Sequence, residues 1–138
     1  MHALYQHANR LSAAVIGAAI EVHALKGPGL IESIYSKCML RELELRGIPA
    51  ERELLVPVEY KGLVFEEPLR LDMLVDKSLL LEFKVVDTIL PVHKAQLLSY
   101  MRLMDIPLGL LINFNEMVLR KGIRRVILFG ADAEDANF

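Results

Sequence analysis

The chain has 138 residues, a formal net charge of −2 and a single cysteine, Cys38. The charge gives no overall attraction for nucleic acid, and one cysteine excludes a disulfide framework and a cysteine zinc cluster. The length fits one domain, which we predict over residues 1–138 with its core at about 13–129. The apolar fraction of 54% is high and favours self-association, with a dimer as the expected form.

Two helices separated by a break are predicted at the start of the chain. Apolar residues recur at helical spacing over residues 7–25, and the Gly-Pro-Gly sequence at 27–29 ends this helix. A second helix is predicted over residues 30–45. The apolar run in the first helix is too short to span a bilayer. Arg10 precedes that run, as in a signal peptide, but the amphipathic pattern continues beyond it and favours a cytoplasmic protein.

The period then changes to that of strands, interrupted by one further helix. Pro57 places the first strand at or near a sheet edge, since proline cannot donate to the ladder. Lys61 and Gly62 mark a turn, and a short strand begins near Val64. The main predicted segments are, in chain order, strands at 53–60, 69–75 and 79–86, a helix at 91–105, and strands at 108–114 and 122–129. This order is typical of an α/β fold with a mixed sheet between helices. Only the acidic end, residues 131–138, is expected to be disordered.

Polar residues inside two apolar strands are the strongest functional signal in the sequence. Asp72 interrupts LRLDMLV, and Glu82 and Lys84 interrupt LLLEFKVV, where alternation places them on one face. If residues 76–78 form a three-residue loop, Asp72 lies directly opposite Glu82, with Cβ atoms roughly 5 Å apart. A two-residue loop would instead send the two carboxylates to opposite faces.

Two carboxylates this close repel each other unless a cation lies between them. Oxygen ligands without sulfur suit Mg²⁺ or Mn²⁺ better than zinc. Lys84 would add a positive charge that can orient a water or stabilise charge developing on a phosphate. From spacing alone, an ordinary ion pair on a solvent-facing sheet is an equal alternative.

Further polar residues follow on the next helix and near the last strand. Gln96 and Tyr100 lie on one helical face, and a crossover helix packs back over the same sheet, so the amide can reach the carboxylates. A surface glutamine is the alternative. His93 lies on the Gln96 side and is a candidate substrate contact, with a surface or capping role as its default. The basic stretch RKGIRR is expected to be a solvated edge, with phosphate contact by Arg124 and Arg125 as the minority alternative.

With the pattern D…E-x-K followed by Q-x-x-x-Y, the chain resembles the PD-(D/E)xK nuclease superfamily, and the second element resembles its recombination-exonuclease-type branch. The resemblance implies a restriction-endonuclease-like core (αβββαβ) with an extra N-terminal helix and C-terminal strand. Gly29, Glu32 and Tyr35 also spell G-x-x-E-x-x-Y, so the chain resembles the GxxExxY family of small bacterial proteins over about residues 13–125. Leu71 departs from the superfamily pattern, which has proline before the first acid.

The resemblance implies hydrolysis of phosphodiester bonds in DNA or RNA. Asp72, Glu82 and the backbone carbonyl of Phe83 would bind Mg²⁺ or Mn²⁺, and Lys84 would position the attacking water. Glu32 is the residue placed to join the metal site from the preceding helix.

The same resemblance gives other residues supporting roles. Gln96 would orient water or phosphate, and Tyr100 is a candidate substrate contact. Tyr35 would either contact substrate or pack. Glu32 also has a structural alternative, in which Gly29 is the N-cap and Glu32 a capping residue at N3.

Two other functions fit the same residues. One is a non-catalytic nucleic-acid-binding or assembly module that keeps the fold, and the net charge of −2 supports it. The other is a subunit whose specificity comes from a protein partner.

Overall fold

The computed structural model describes residues 1–133, so the expectation for residues 134–138 lies outside the described residues. The elements are α1 (Tyr5–Lys26), α2 (Glu32–Leu45), β1 (Ala50–Val56), β2 (Glu59–Tyr60), β3 (Leu63–Val64), β4 (Leu69–Val75), β5 (Leu79–Lys84), α3 (Pro91–Met104), β6 (Leu108–Asn113), a 3-10 turn (Leu119–Gly122) and β7 (Ile123–Ile127). The predicted class and the predicted order of helices and main strands are confirmed. Disorder was predicted to begin at Ala131, but this residue is buried and its carbonyl accepts the His2 N–H.

The main sheet has five strands in the order β1-β4-β5-β6-β7. Strands β5 and β6 are parallel and are joined by the crossover helix α3, whereas the other neighbours are antiparallel. The sheet is therefore mixed, as predicted, and β1 lies at its edge, as Pro57 indicated.

The first strand is shorter than predicted. It ends at Val56, and Glu59–Tyr60 pairs with Leu63–Val64 in a separate two-stranded sheet. Pro57 explains the break, because it has no N–H to donate. The predicted continuous strand over 53–60 is therefore wrong beyond Val56.

Each face of the main sheet is covered by helices. One core cluster joins α1 and α2 to Leu79, Leu81 and Phe83, and the other joins α3 to Leu80 and other residues. Alternate residues of β5 thus enter opposite cores, as the pleat of a strand requires. Within residues 1–133, no helix is both long enough and apolar enough to cross a membrane.

Gly109 on β6 allows α3 to lie close to the sheet. A Cβ atom at this position would come within 2.8 Å of Met101 Sδ and 3.1 Å of Leu97 Cδ2. A side chain here would therefore displace the Met101 and Leu97 side chains, through which α3 packs on the sheet; α3 carries two of the predicted site residues, Gln96 and Tyr100.

Candidate active site

The hairpin between β4 and β5 has the register that brings the two predicted acids together. Val75 pairs with Leu79 around a three-residue turn, and Met73 pairs with Leu81. Continuing this register places Asp72 opposite Glu82, as the three-residue loop predicted. The regular backbone pairing ends at Met73. At the next position the Asp72 side chain supplies the acceptor, since its Oδ2 accepts the N–H of Phe83 at 2.8 Å.

Glu82 is the most deeply buried of the acids. Its exposed fraction is 5%, and Oε1 is buried without a hydrogen-bond partner. Burial, and then the negative charge of Asp72, raise the pKa of Glu82 to about 8. Lys84 and a hydrogen bond from the Asp72 backbone N–H act in the opposite direction but do not cancel these effects.

Glu32 adds a third carboxyl group to the pair. It lies at the first position of α2, and its carboxyl is close enough to that of Asp72 for the two to raise the pKa of Glu32 by their interaction. Burial is the largest cause of the raised pKa of each of these two groups, and the charge of Asp72 further raises the pKa of Glu32. Three carboxyl groups from α2, β4 and β5 therefore meet at one place.

The predicted capping role of Glu32 is wrong. The N-cap of α2 is Ile31 rather than Gly29, so Glu32 occupies N1 and not N3. No side chain caps this helix end, and the Glu32 carboxyl lies near Asp72 instead.

Lys84 ends β5 and is half-buried beside the three acids. Its positive charge lowers the pKa of Glu32, Asp72 and Glu82 alike, which shows that it lies near all three. The site thus combines three acids with one lysine.

Helix α3 brings Gln96 and Tyr100 to the same site. Gln96 Nε2 donates to the Tyr100 hydroxyl at 2.9 Å. Burial, followed by the charge of Glu82, raises the pKa of Tyr100, so this hydroxyl lies near the acids. His93 differs from these two residues, because its Nδ1 accepts the Leu90 N–H at 2.9 Å and so serves the start of α3.

Tyr35 is a structural residue. Its exposed fraction is 0%, and its ring stacks on Phe114 with centroids 4.4 Å apart. Its hydroxyl donates to the Gly27 carbonyl at 2.5 Å and accepts the Leu30 N–H at 3.1 Å, which fixes the break before α2. Contact between Tyr35 and substrate is therefore a wrong prediction, and the packing alternative is correct.

The two arginines of β7 lie on opposite faces of the sheet. Arg125 is held by Tyr5, Asn9 and Ser12 of α1, an arrangement that we call the α1–β7 seam. Its guanidinium is thus engaged by α1, on the face of the sheet opposite Glu82, and its contact with substrate stays a prediction.

Arg124, by contrast, shares the face of Glu82. It pairs with Leu111, which in turn pairs with Glu82. Arg124 Nη1 donates to the carbonyls of Lys121 and Ile123, at 2.7 Å and 3.1 Å.

Asn113 supports the site and was not predicted. It is fully buried, and its side chain accepts the N–H of Val86 at 3.1 Å and donates to the carbonyl of Val86 at 2.8 Å. These bonds hold the chain where it leaves β5, directly after Lys84. The available signal was an asparagine that ends an otherwise apolar strand.

The site has donors that suit a hard cation. Within residues 1–133, no group of three His, Cys, Asp or Glu side chains is arranged to hold a metal by itself. However, the unpartnered Oε1 of Glu82 and the mutual repulsion of the acids are features that a divalent cation would satisfy. The residues present therefore fit Mg²⁺ or Mn²⁺ if the backbone and water supply the other ligands.

Comparisons with known proteins identify the family and agree with the fold. The family model of the PD-(D/E)XK nuclease superfamily matches residues 9–126. The fold is similar to the crystal structure of SSO0001, with a TM-score of 0.52 and 24% identity, covering 70% of this chain and 49% of that one. The chain thus spans about half the length of that protein, and a likeness at this identity shows the fold alone. No curated protein matches the chain.

Proposed function

The chain belongs to the PD-(D/E)XK nuclease superfamily, and we propose that it is a metal-dependent nuclease that hydrolyses phosphodiester bonds of DNA or RNA. The observation that supports this proposal is the meeting of Asp72, Glu82 and Lys84, with one buried carboxylate oxygen left without a partner. An ion pair on a solvent-facing sheet does not explain these features, because Glu82 is buried and faces other acids.

Mg²⁺ or Mn²⁺ would be held by Asp72, Glu82 and the carbonyl of Phe83, with Glu32 as a further ligand. When bound, the ion would polarise the phosphoryl oxygen and lower the pKa of a bound water. The chain itself supplies the fixed positions of the ligands, since the Phe83 N–H holds Asp72 and the Asp72 N–H holds Glu82.

Lys84 would position the attacking water and stabilise negative charge as the phosphate reacts. Gln96 and Tyr100 would orient water or phosphate as a pair, since they are already hydrogen-bonded to each other. Arg124 would contact a more distant phosphate, because two strand spacings separate it from Glu82, or about 9.6 Å. We also assign the chain to the GxxExxY group, on Gly29, Glu32 and Tyr35.

Cleavage assays on DNA and RNA, single-stranded and duplex, with each metal, test the proposal. We expect metal-dependent cleavage that falls at least about hundredfold in Lys84→Ala, because the charge at the reacting phosphate is lost. Lys37→Ala is the matched control, since Lys37 is an exposed lysine of α2. Equal cleavage by the wild type and Lys84→Ala would mean that this site does not cleave.

A non-catalytic nucleic-acid-binding or assembly module is the alternative. The net charge of −2 favours it, because duplex binding normally needs several phosphate contacts. Nucleic-acid binding without cleavage under any of these conditions would support this alternative. The next step would be a search for a protein partner that supplies specificity.

Self-association is part of the proposal. Large apolar side chains are exposed on and beside the small β2–β3 hairpin, namely Leu55, Tyr60, Leu63, Val64 and Phe65. A dimer that covers them would also explain the high apolar content. A monomer in sedimentation equilibrium at micromolar concentrations would remove this part of the proposal.

A further inference from the structure

A pocket opens beside the carboxylates, on the side of α2 and the edge strand β1. Its volume is about 250 Å³. Two of its walls are the acids Glu32 and Asp72, so it is continuous with the candidate active site. The rest of its lining combines guanidinium and hydroxyl donors, from Arg52, Arg70, Ser33 and Ser36, with a third acid, Glu53. Such donors are typical of phosphate recognition.

Arg52 is held in a fixed orientation at the edge of this pocket. Its Nε donates to the Ser36 hydroxyl at 2.8 Å, and its Nη2 lies 3.1 Å from Glu53 Oε1. Its side chain is only 17% exposed. A guanidinium that is already oriented loses less conformational freedom when it binds an anion.

Arg70 is free to meet a ligand. Within residues 1–133, its side chain has no hydrogen bond or ion pair, although it is exposed next to the pocket. It precedes Asp72 by two residues of β4, so the two positions lie about 6.8 Å apart along the strand. Neighbouring phosphates of an extended nucleic-acid strand are separated by a similar distance.

The start of α2 adds to the attraction for an anion. Glu32, Ser33 and Ser36 belong to its first turns, and no side chain caps this 14-residue helix. The first amide groups of an uncapped helix carry partial positive charge and are available to an anion.

We propose that this pocket is a phosphate subsite, which holds the phosphate next to the one that is hydrolysed. This inference rests on the proposed function, because it takes the substrate to be a nucleic acid. The pocket is smaller than the usual range for drug-sized ligands, so it fits one phosphate with its sugar and leaves the base outside. The ligand is either a terminal phosphate monoester or an internal phosphodiester.

The negative groups around the pocket make binding depend on metal. Glu53 is paired with Arg52, so this pair carries no net charge. Glu32 and Asp72 would repel a phosphate unless a cation neutralises them. Binding is therefore measured with Ca²⁺, a hard cation chosen to support binding while limiting hydrolysis, and the oligonucleotide is checked afterwards for intactness.

The test is fluorescence anisotropy of a labelled single-stranded oligonucleotide over a range of salt concentrations. We expect Arg70→Gln to bind about tenfold more weakly at low salt, equivalent to about 1.4 kcal/mol. The slope of log K against log salt should fall by about 0.7, the contribution of one phosphate contact to a single strand. Arg10→Gln, which removes an exposed arginine of α1, should leave both values unchanged.

Oligonucleotides with 5′-phosphate, 3′-phosphate and hydroxyl ends identify the source of the phosphate. If one terminal phosphate accounts for the whole effect of Arg70→Gln, the ligand is a terminal monoester; if the ends make no difference, it is an internal diester. Equal binding by Arg70→Gln and Arg10→Gln, or no binding by the wild type, would overturn the subsite. Binding with the expected slope but no cleavage with Mg²⁺ or Mn²⁺ would overturn the nuclease function and leave the subsite standing.

Discussion

The candidate active site and the α1–β7 seam use charged side chains on the same sheet in opposite ways. In the seam, Arg125 is surrounded by neutral acceptors on Tyr5, Asn9 and Ser12. In the active site, Glu82 is surrounded mainly by other acids and keeps one buried oxygen without a partner. The polar groups of the seam therefore find their partners within the chain, whereas Glu82 in the active site does not.

This difference separates structural polar groups from functional ones. Buried polar atoms are nearly always hydrogen-bonded, and a fold that leaves one unpaired loses stability. The fold tolerates that cost at Glu82, whereas the exposed Arg125 finds its partners on α1. We infer that Glu82 is placed for an external partner and Arg125 for the fold. Substitutions in the two regions should therefore affect different properties.

The largest expected effect is on catalysis, at Glu82. Glu82→Gln keeps the size of the side chain but removes a ligand charge, so cleavage should fall at least about hundredfold. The free energy of unfolding without metal should stay the same or rise, because a buried acid has been made neutral. Cleavage rates and thermal unfolding of the same preparation check both parts. Loss of stability together with activity would contradict the distinction.

Arg125→Gln should give the opposite result. The substitution removes bonds to three partners on α1, which should lower the free energy of unfolding by about 1–2 kcal/mol. Cleavage per folded molecule should remain, because Arg125 is bound to α1 and lies on the face of the sheet opposite Glu82. Urea unfolding and cleavage assays at low temperature measure the two effects. A loss of cleavage larger than the loss of folded protein would place Arg125 in the site after all.

The pH dependence of stability should also differ between the two regions. The pKa of Glu82 is about 8 in the folded chain, compared with an ordinary value of 4.5. A raised pKa means that the folded state favours the protonated carboxyl, so its stabilising contribution is full below pH 4.5 and is lost as the pH rises through about 8. Without metal, the melting temperature should therefore fall over this range.

Two variants serve as controls for the pH experiment. Glu82→Gln should flatten the fall, and Arg125→Gln should lower the whole curve without changing its slope. The same slope in the wild type and Glu82→Gln would show that other groups control the pH dependence.

The smallest expected effect is at Tyr35. Tyr35→Phe removes the bonds to Gly27 and Leu30 but keeps the stack on Phe114, so we expect a loss of about 1 kcal/mol. Cleavage should change little, because the hydroxyl touches the turn and not the acids. A loss of cleavage with unchanged stability would restore the predicted substrate contact of this residue.

The acids of the hairpin could be predicted because their arrangement is local. Strand alternation and one loop length were sufficient to place Asp72 opposite Glu82, and alternation placed Lys84 beside it. The crossover helix brought Gln96 and Tyr100 to the same face for a general topological reason.

The features that were missed depend on contacts between distant parts of the chain. Arg52 and Arg70 border one pocket only because β1 pairs with β4 and α2 lies across that edge. The burial of Tyr35 depends on Phe114, from the far end of the chain. The position of Glu32 at N1 depended on a helix boundary that sequence patterns place only within a few residues.

The most direct test of the central claim is calorimetric titration of Mn²⁺ into the wild type, Asp72→Asn and the control Lys37→Ala. If the acids hold a divalent metal, the wild type and Lys37→Ala should bind it with equal affinity, and Asp72→Asn should bind at least about tenfold more weakly. Equal binding by all three proteins, or no binding by the wild type at millimolar Mn²⁺, would contradict a metal site at Asp72 and Glu82.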